Sequence, residues 1–256
     1  MKNILLLLIF SLFLFGEAHS QVYPQLPGQP VLKFDKEYIV SASMAGASLL
    51  SFTIDGSVRE FAQNNRGDFG DALFTVPDIY GDGWTTLALT GGLILGGLAF
   101  DDVYVEKTGY YVIESAALTS AVTYLLKMSL GRSRPYTNDG PYKFNFFQFN
   151  TRRMAFPSGH SSNSFSNTTI LAYRIDKTYA YAGLYTLAAM TLAARIYYDK
   201  HWLSDTFMGA AIGTACALLV LELNDAMPGN DENSGINEEP GLFNPNIQMI
   251  NISIPF

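Results

Sequence analysis

Three short stretches of this chain carry residues suited to holding and splitting a phosphate. The first is "KMSLGRSRP", in which Lys127 and Arg134 lie seven residues apart, with Arg132 between them and Pro135 after them. Seven residues make two helical turns, so the spacing predicts both cations on one helix face, with the helix stopped by Pro135. From Lys127 to Arg153 there are six basic residues and one acidic, Asp139, in a chain of net charge −7. A local cationic patch in an acidic protein fits an anion site; a solvated basic loop, or charges that set membrane topology, would give the same composition.

The second stretch is "AFPSGHSS", residues 155–162. Pro157 stiffens the approach, Ser158 can cap the helix that follows, and Gly159 lets backbone come close to a ligand. Free N–H groups at a helix start attract phosphate. His160 in that first turn opposes the helix dipole unless an anion sits beside it, which would raise its pKa. The third stretch is "ARIYYDKHWLSD", with Arg195 six residues before His201 and Asp205 four after it. In a helix starting near Trp202, His201 and Asp205 share a face. The carboxylate then accepts one imidazole N–H, fixes the tautomer and leaves the other nitrogen free to attack. Together the stretches offer three cations for phosphate oxygens, a nucleophilic histidine with its orienting acid, and a second histidine to protonate a leaving group. Phosphoryl transfer needs mainly positioning and charge neutralisation, and this set supplies both without a metal.

Lys127-x6-Arg134-Pro135, Pro157-Ser158-Gly159-His160 and Arg195-x5-His201-x3-Asp205 resemble, in order, the three signature motifs of the type 2 phosphatidic acid phosphatases. That superfamily also includes bacterial class A acid phosphatases and vanadium haloperoxidases. The resemblance implies a phosphohistidine on His201, oriented by Asp205, with His160 as general acid. It implies a phosphate held by Lys127, Arg134 and Arg195 with help from Ser158 and Gly159, and no metal or other cofactor. Ala194 stands where the family usually has Ser, so one phosphate hydrogen bond is expected to be missing. The expected activity is that of a membrane-associated lipid phosphatase acting on a phosphomonoester or pyrophosphate, its partner a phosphorylated lipid. A soluble periplasmic acid phosphatase of broad specificity is the alternative. A vanadate-dependent haloperoxidase or a catalytically silent binding protein would use the same pocket.

The elements that must position these residues read as helices. Hydrophobic residues make up 48% of the chain and charged ones 15%, which fits membrane contact or a tightly packed bundle. The acidic balance argues against general nucleic-acid binding. Apolar segments at roughly 38–54, 84–100, 108–126, 164–173, 179–198 and 206–223 are rich in Ala, Leu and Gly and mostly too long for strands. The fold class is therefore all-α: a helical domain over 37–226, after a lead-in at 21–36, with about five or six membrane-associated helices. Segments 84–100, 179–198 and 206–223 carry little charge and could cross a membrane.

At the N-terminus, Lys2, the apolar run 4–15 and "AHS" at 18–20 make residues 1–20 a signal peptide, cleaved before Gln21. Export then follows, with a periplasm-facing site. For that face to be external one segment must fail to span, and 38–54 is the weakest. Residues 227–256 form an acidic tail expected to be mostly disordered. Tyr136, Tyr142, Phe144, Phe146, Phe147, Phe149 and Phe156 crowd the stretch between the first two motifs. They suit a membrane interface and the guidance of an acyl or prenyl chain, or else ordinary loop packing. Cys216, the single cysteine, sits in an apolar run and reads as core filling.

Overall fold

A computed structural model describes residues 36–224 other than 148. The expected signal peptide, nearly all of the lead-in and the acidic tail lie outside the described residues. Eight α-helices make up the described chain: α1 (Lys36–Ser51), α2 (Asp55–Asn64), α3 (Asp68–Tyr80), α4 (Gly83–Phe100), α5 (Val103–Leu130), α6 (Gly159–Ile175), α7 (Thr178–Tyr197) and α8 (Leu203–Leu223). The long α5–α6 connection holds two short 3₁₀ turns and an isolated antiparallel bridge between Arg132 and Phe144. No strand occurs among the described residues, so the all-α expectation holds. The described residues from Val40 onward form one compact unit; the unit before it is described only over the first turn of α1.

Local chemistry sets the helix ends. Asp82 and Asp102 cap α4 and α5 by accepting from the backbone N–H groups of Trp84 and Val105, and Ser158 caps α6 by accepting from that of Ser161. Gly131 ends α5 in the left-handed region, at φ 57°. That stop corrects one expectation: the helix ends before Pro135, so Lys127 and Arg134 do not share a helical face. Lys127 lies in the last turn of α5 and Arg134 in the loop beyond it.

The site is organised by α6, which packs against α5, α7 and α8. Although "GHSSNSFSNTTILAYRI" is polar, its Ser161, Ser162, Ser164, Ser166, Asn167, Thr168 and Thr169 are buried. Their polar groups find partners inside the bundle: Ser162 Oγ donates to Ser158 O at 2.8 Å, Thr123 to Ser162 Oγ at 3.1 Å, and Asn167 to Thr86 at 2.8 Å. Small side chains also let helices approach closely. Gly209 and Gly213 face α6 so tightly that a Cβ would lie 2.4 Å from Ser158 O and 2.1 Å from Ser162 O, respectively. No larger residue fits there unless α8 moves off α6. The same contact brings the start of α8 to the start of α6, where Ser158 N–H donates to Asp205 O at 2.9 Å.

Helix α4 (mean hydropathy 1.4) and helix α8 (mean hydropathy 1.8) are long and apolar enough to cross a membrane. Only 17% of α4 is buried, against 61% of α8, and Trp84, Leu95, Leu98 and Phe100 project from α4 uncovered. The third segment expected to span, now α7, does not reach that apolarity, since it carries four tyrosines and Arg195. Segment 38–54 also departs from a simple span: its helix breaks at residues 52–54 and turns by 84° into α2, a broken span or a re-entrant pair.

Candidate active site

Four helix ends meet at one end of the bundle: the C-termini of α5 and α7 and the N-termini of α6 and α8. With the loop that follows α5, they bring together all eight residues singled out in the sequence. Lys127, from α5, is buried and donates to Met154 O at 2.8 Å. Arg134, held by its Nε bond to Thr151 O at 2.9 Å, places Nη1 3.5 Å from His201 Nε2. Arg195, from the last turn of α7, is buried and ion-paired with Asp78, while its Nε has no hydrogen-bond partner among the described residues. Ser158, Gly159 and His160 form the capped start of α6. Gly159 lies beside Lys127, whose Cε would be 3.7 Å from an added Cβ. Ala194 is fully buried within α7.

His201 and Asp205 flank Trp202, the N-cap of α8. His201 is 3% exposed, with Nδ1 3.5 Å from Asp205 Oδ2 and Nε2 turned toward Arg134. That orientation leaves Nε2 on the cationic side, as a nucleophile toward phosphorus requires. Asp205 Oδ2 also accepts from Trp202 N–H at 2.8 Å, which fixes the carboxylate and the helix start together. Burial, then Arg134, Lys127, Arg195 and His160, hold His201 well below the usual histidine range. The imidazole is therefore neutral, the form able to attack.

His160 behaves differently from the anion-bound expectation when only protein groups act on it. Burial, then Arg195, push it down to about 4, against the opposing pull of Asp78 and Asp82. A tetrahedral dianion among the cations reverses that balance, so dianion binding should raise the pKa and take up a proton. Sulfate does not titrate near neutrality and isolates this effect. At pH 6 its binding should take up protons, and affinity should rise as pH falls toward about 4, the value of His160 in the free protein. Calorimetry in buffers of different ionisation enthalpy measures the uptake, and His160→Asn should abolish it. An unchanged uptake in that variant would assign the proton elsewhere.

Several participants carried no motif signal. Arg132 was noted only as a neighbouring cation, yet its side chain is fully buried between two carboxylates. It donates to Asp205 Oδ1 at 2.6 Å, Asp55 Oδ2 at 2.7 Å and Ser204 Oγ at 2.7 Å, and its guanidinium lies 4.4 Å from the Phe52 ring centroid. Asp55, at the α1–α2 elbow, also accepts from Ser204 N–H at 2.9 Å. The α3–α4 turn forms another wall. Asp78 holds Arg195, and Asp82 Oδ2 lies 3.7 Å from His160 Nε2. Gly81 presses so close that a Cβ would sit 2.8 Å from His160 O. The aromatic loop divides. Phe156 is buried and Phe144 turns inward beside Phe52, whereas Tyr142, Phe146, Phe147 and Phe149 are at least 63% exposed.

Residues 108–226 match the model of the PAP2 superfamily. The lipid A 1-phosphatase of Porphyromonas gingivalis is 28% identical over 179 residues, covering 68% of this chain and 35% of that protein. The chain thus spans about a third of that curated relative's length. Two solved structures share the fold. LpxE of Aquifex aeolicus matches at 24% identity and a TM-score of 0.52, over 65% of this chain and 93% of that one. A transmembrane PAP2-type phosphatidylglycerolphosphate phosphatase from Bacillus subtilis matches at 18% identity and a TM-score of 0.57, over 74% and 94%.

Proposed function

We propose that this chain, whose residues 108–226 match the PAP2 superfamily, is a membrane-embedded lipid phosphatase working through a phosphohistidine. The observation that carries this reading is the orientation of His201, with Nδ1 toward Asp205 and Nε2 toward Arg134, in a pocket that also receives Lys127 and Arg195. The three cations hold the phosphoryl oxygens, aided by the N–H groups at the start of α6. His201 Nε2 forms a bond to phosphorus as the bond to the leaving oxygen breaks, and His160 delivers the proton that oxygen needs. Water then attacks the phosphohistidine and gives its proton back to His160, which releases inorganic phosphate and restores His201. Asp205 faces Nδ1 throughout and orients the ring.

A lipid substrate is supported by the exposed apolar face of α4 and by the aromatic tips of the 142–149 loop beside the site. The lipid A 1-phosphatase relative acts on a lipid. Export and a periplasm-facing pocket are part of the proposal, supported by the signal-like residues 1–20. The direct test offers purified protein a short-chain phosphatidic acid in detergent micelles with a chelator present. Release of inorganic phosphate is the expected result. No release from this or other lipid phosphomonoesters would remove the assignment.

A further inference from the structure

His160 has two kinds of neighbour. Arg195 and Arg134 act on it from the phosphate-binding group. Asp82 also approaches it, and Asp82 stands at the edge of a cleft of about 470 Å³ between α4 and α5. Polar Ser120 and Asn163 share that cleft with apolar Trp84, Leu87 and Ile113. Of the described residues lining it, Asp82 is the one with a charge, and it is negative. Trp84 and Leu87, which line the cleft, are themselves exposed, so it opens to the surroundings of α4, and Asp82 is the lining residue that borders His160.

We propose that this cleft receives the leaving group and makes the enzyme selective for lipid phosphomonoesters over lipid pyrophosphates. The inference rests on the phosphatase reading, in which His160 faces the leaving oxygen. From a monoester the P–O bond breaks, one proton passes from His160 to the oxygen, and a neutral alcohol departs. Its hydroxyl groups suit Asp82, Ser120 and Asn163, and its chain suits Trp84, Leu87 and Ile113. From a pyrophosphate the departing group is itself a phosphate, which carries negative charge toward Asp82 with no lysine or arginine among the described lining residues to offset it.

The test compares dihexanoyl phosphatidic acid, farnesyl pyrophosphate and p-nitrophenyl phosphate on the full chain and on Asp82→Asn. Asparagine caps a helix as well as aspartate, so α4 keeps its start while the charge is removed. In the unsubstituted protein kcat/KM for the phosphatidic acid should exceed that for the pyrophosphate by about tenfold or more. Asp82→Asn should raise the pyrophosphate about fivefold relative to the phosphatidic acid, the size of a partly screened charge contact. The aryl ester also leaves as an anion and should rise with the pyrophosphate, so a His160→Ala background separates two causes: a charge effect of Asp82 on the pyrophosphate persists there, whereas one relayed through proton transfer from His160 disappears. If Asp82→Asn raises the pyrophosphate in the native background and leaves it unchanged in His160→Ala, Asp82 acts through proton transfer from His160 and the selectivity claim is overturned. A native preference for pyrophosphate also overturns it. Turnover of none of the three would bring down the phosphatase reading itself, and this inference with it.

Discussion

Replacing His201 by alanine should lower kcat for phosphate release by at least about 10⁴-fold, with the fold intact. The size follows from the chemistry assigned to Nε2: without it no covalent intermediate forms, and the three cations can only bind substrate. KM should change little for the same reason. His160→Ala gives a smaller and more informative loss. A general acid typically contributes 10²- to 10⁴-fold, and the loss should be large for an alkyl ester and small for p-nitrophenyl phosphate, whose leaving group departs without a proton. A rapid acid quench of the native protein should trap phosphate bound to protein, acid-labile and alkali-stable as a phosphohistidine is. His201→Ala should trap none. Turnover by His201→Ala within tenfold of native would exclude the nucleophile assignment, and equal losses for both ester types in His160→Ala would exclude the acid.

What could be read from the sequence was what lies close along the chain. Asp205 follows His201 by four residues and Ser158 precedes the helix it caps, so the second and third motifs hold their own short-range geometry. What could not be read lies between distant segments. Asp55 and Arg132 are 77 residues apart, and neither sits in a pattern that announces its partner. The helices over 55–80 went unread because α2 is short and polar, and neither α2 nor α3 has a side-chain N-cap. Tertiary bonds hold them instead: Arg59 pairs with Asp199 at 2.7 Å, and Tyr197 donates to Asp71 at 2.9 Å. Lys127 and Arg134 do not share a helical face, because a left-handed turn at Gly131 redirects the chain. Both cations still reach the pocket, because the loop beyond Gly131 folds back onto α8: Trp202 Nε1–H donates to Ser133 O at 2.9 Å.

That fold-back is what the second large effect depends on. Arg132 lies fully buried between Asp55 and Asp205, so the cluster holds one positive and two negative charges away from water. Removing the cation while leaving both carboxylates is the costly change, about 3–5 kcal/mol for a buried pair broken on one side. Arg132→Met should therefore lower Tm by roughly 6–20 °C for a domain of this size, as read by thermal unfolding in detergent. It should also lower turnover at least 100-fold at temperatures where the protein is still folded. Without Arg132, Asp205 loses the partner of its Oδ1, and the carboxylate that faces His201 Nδ1 is no longer held in place. Asp55→Asn separates the two consequences. It keeps an oxygen for Ser204 N–H and leaves Asp205 paired with Arg132, while the amide nitrogen in place of Oδ2 no longer accepts from Ser204 Oγ or Arg132. Stability should then change by less than in Arg132→Met, and turnover should stay within about tenfold of native. If Arg132→Met keeps both its Tm and its rate, the cluster is incidental to the site. If Asp55→Asn proves as damaging as Arg132→Met, the elbow's carboxylate matters for its charge and not only for the bonds it accepts.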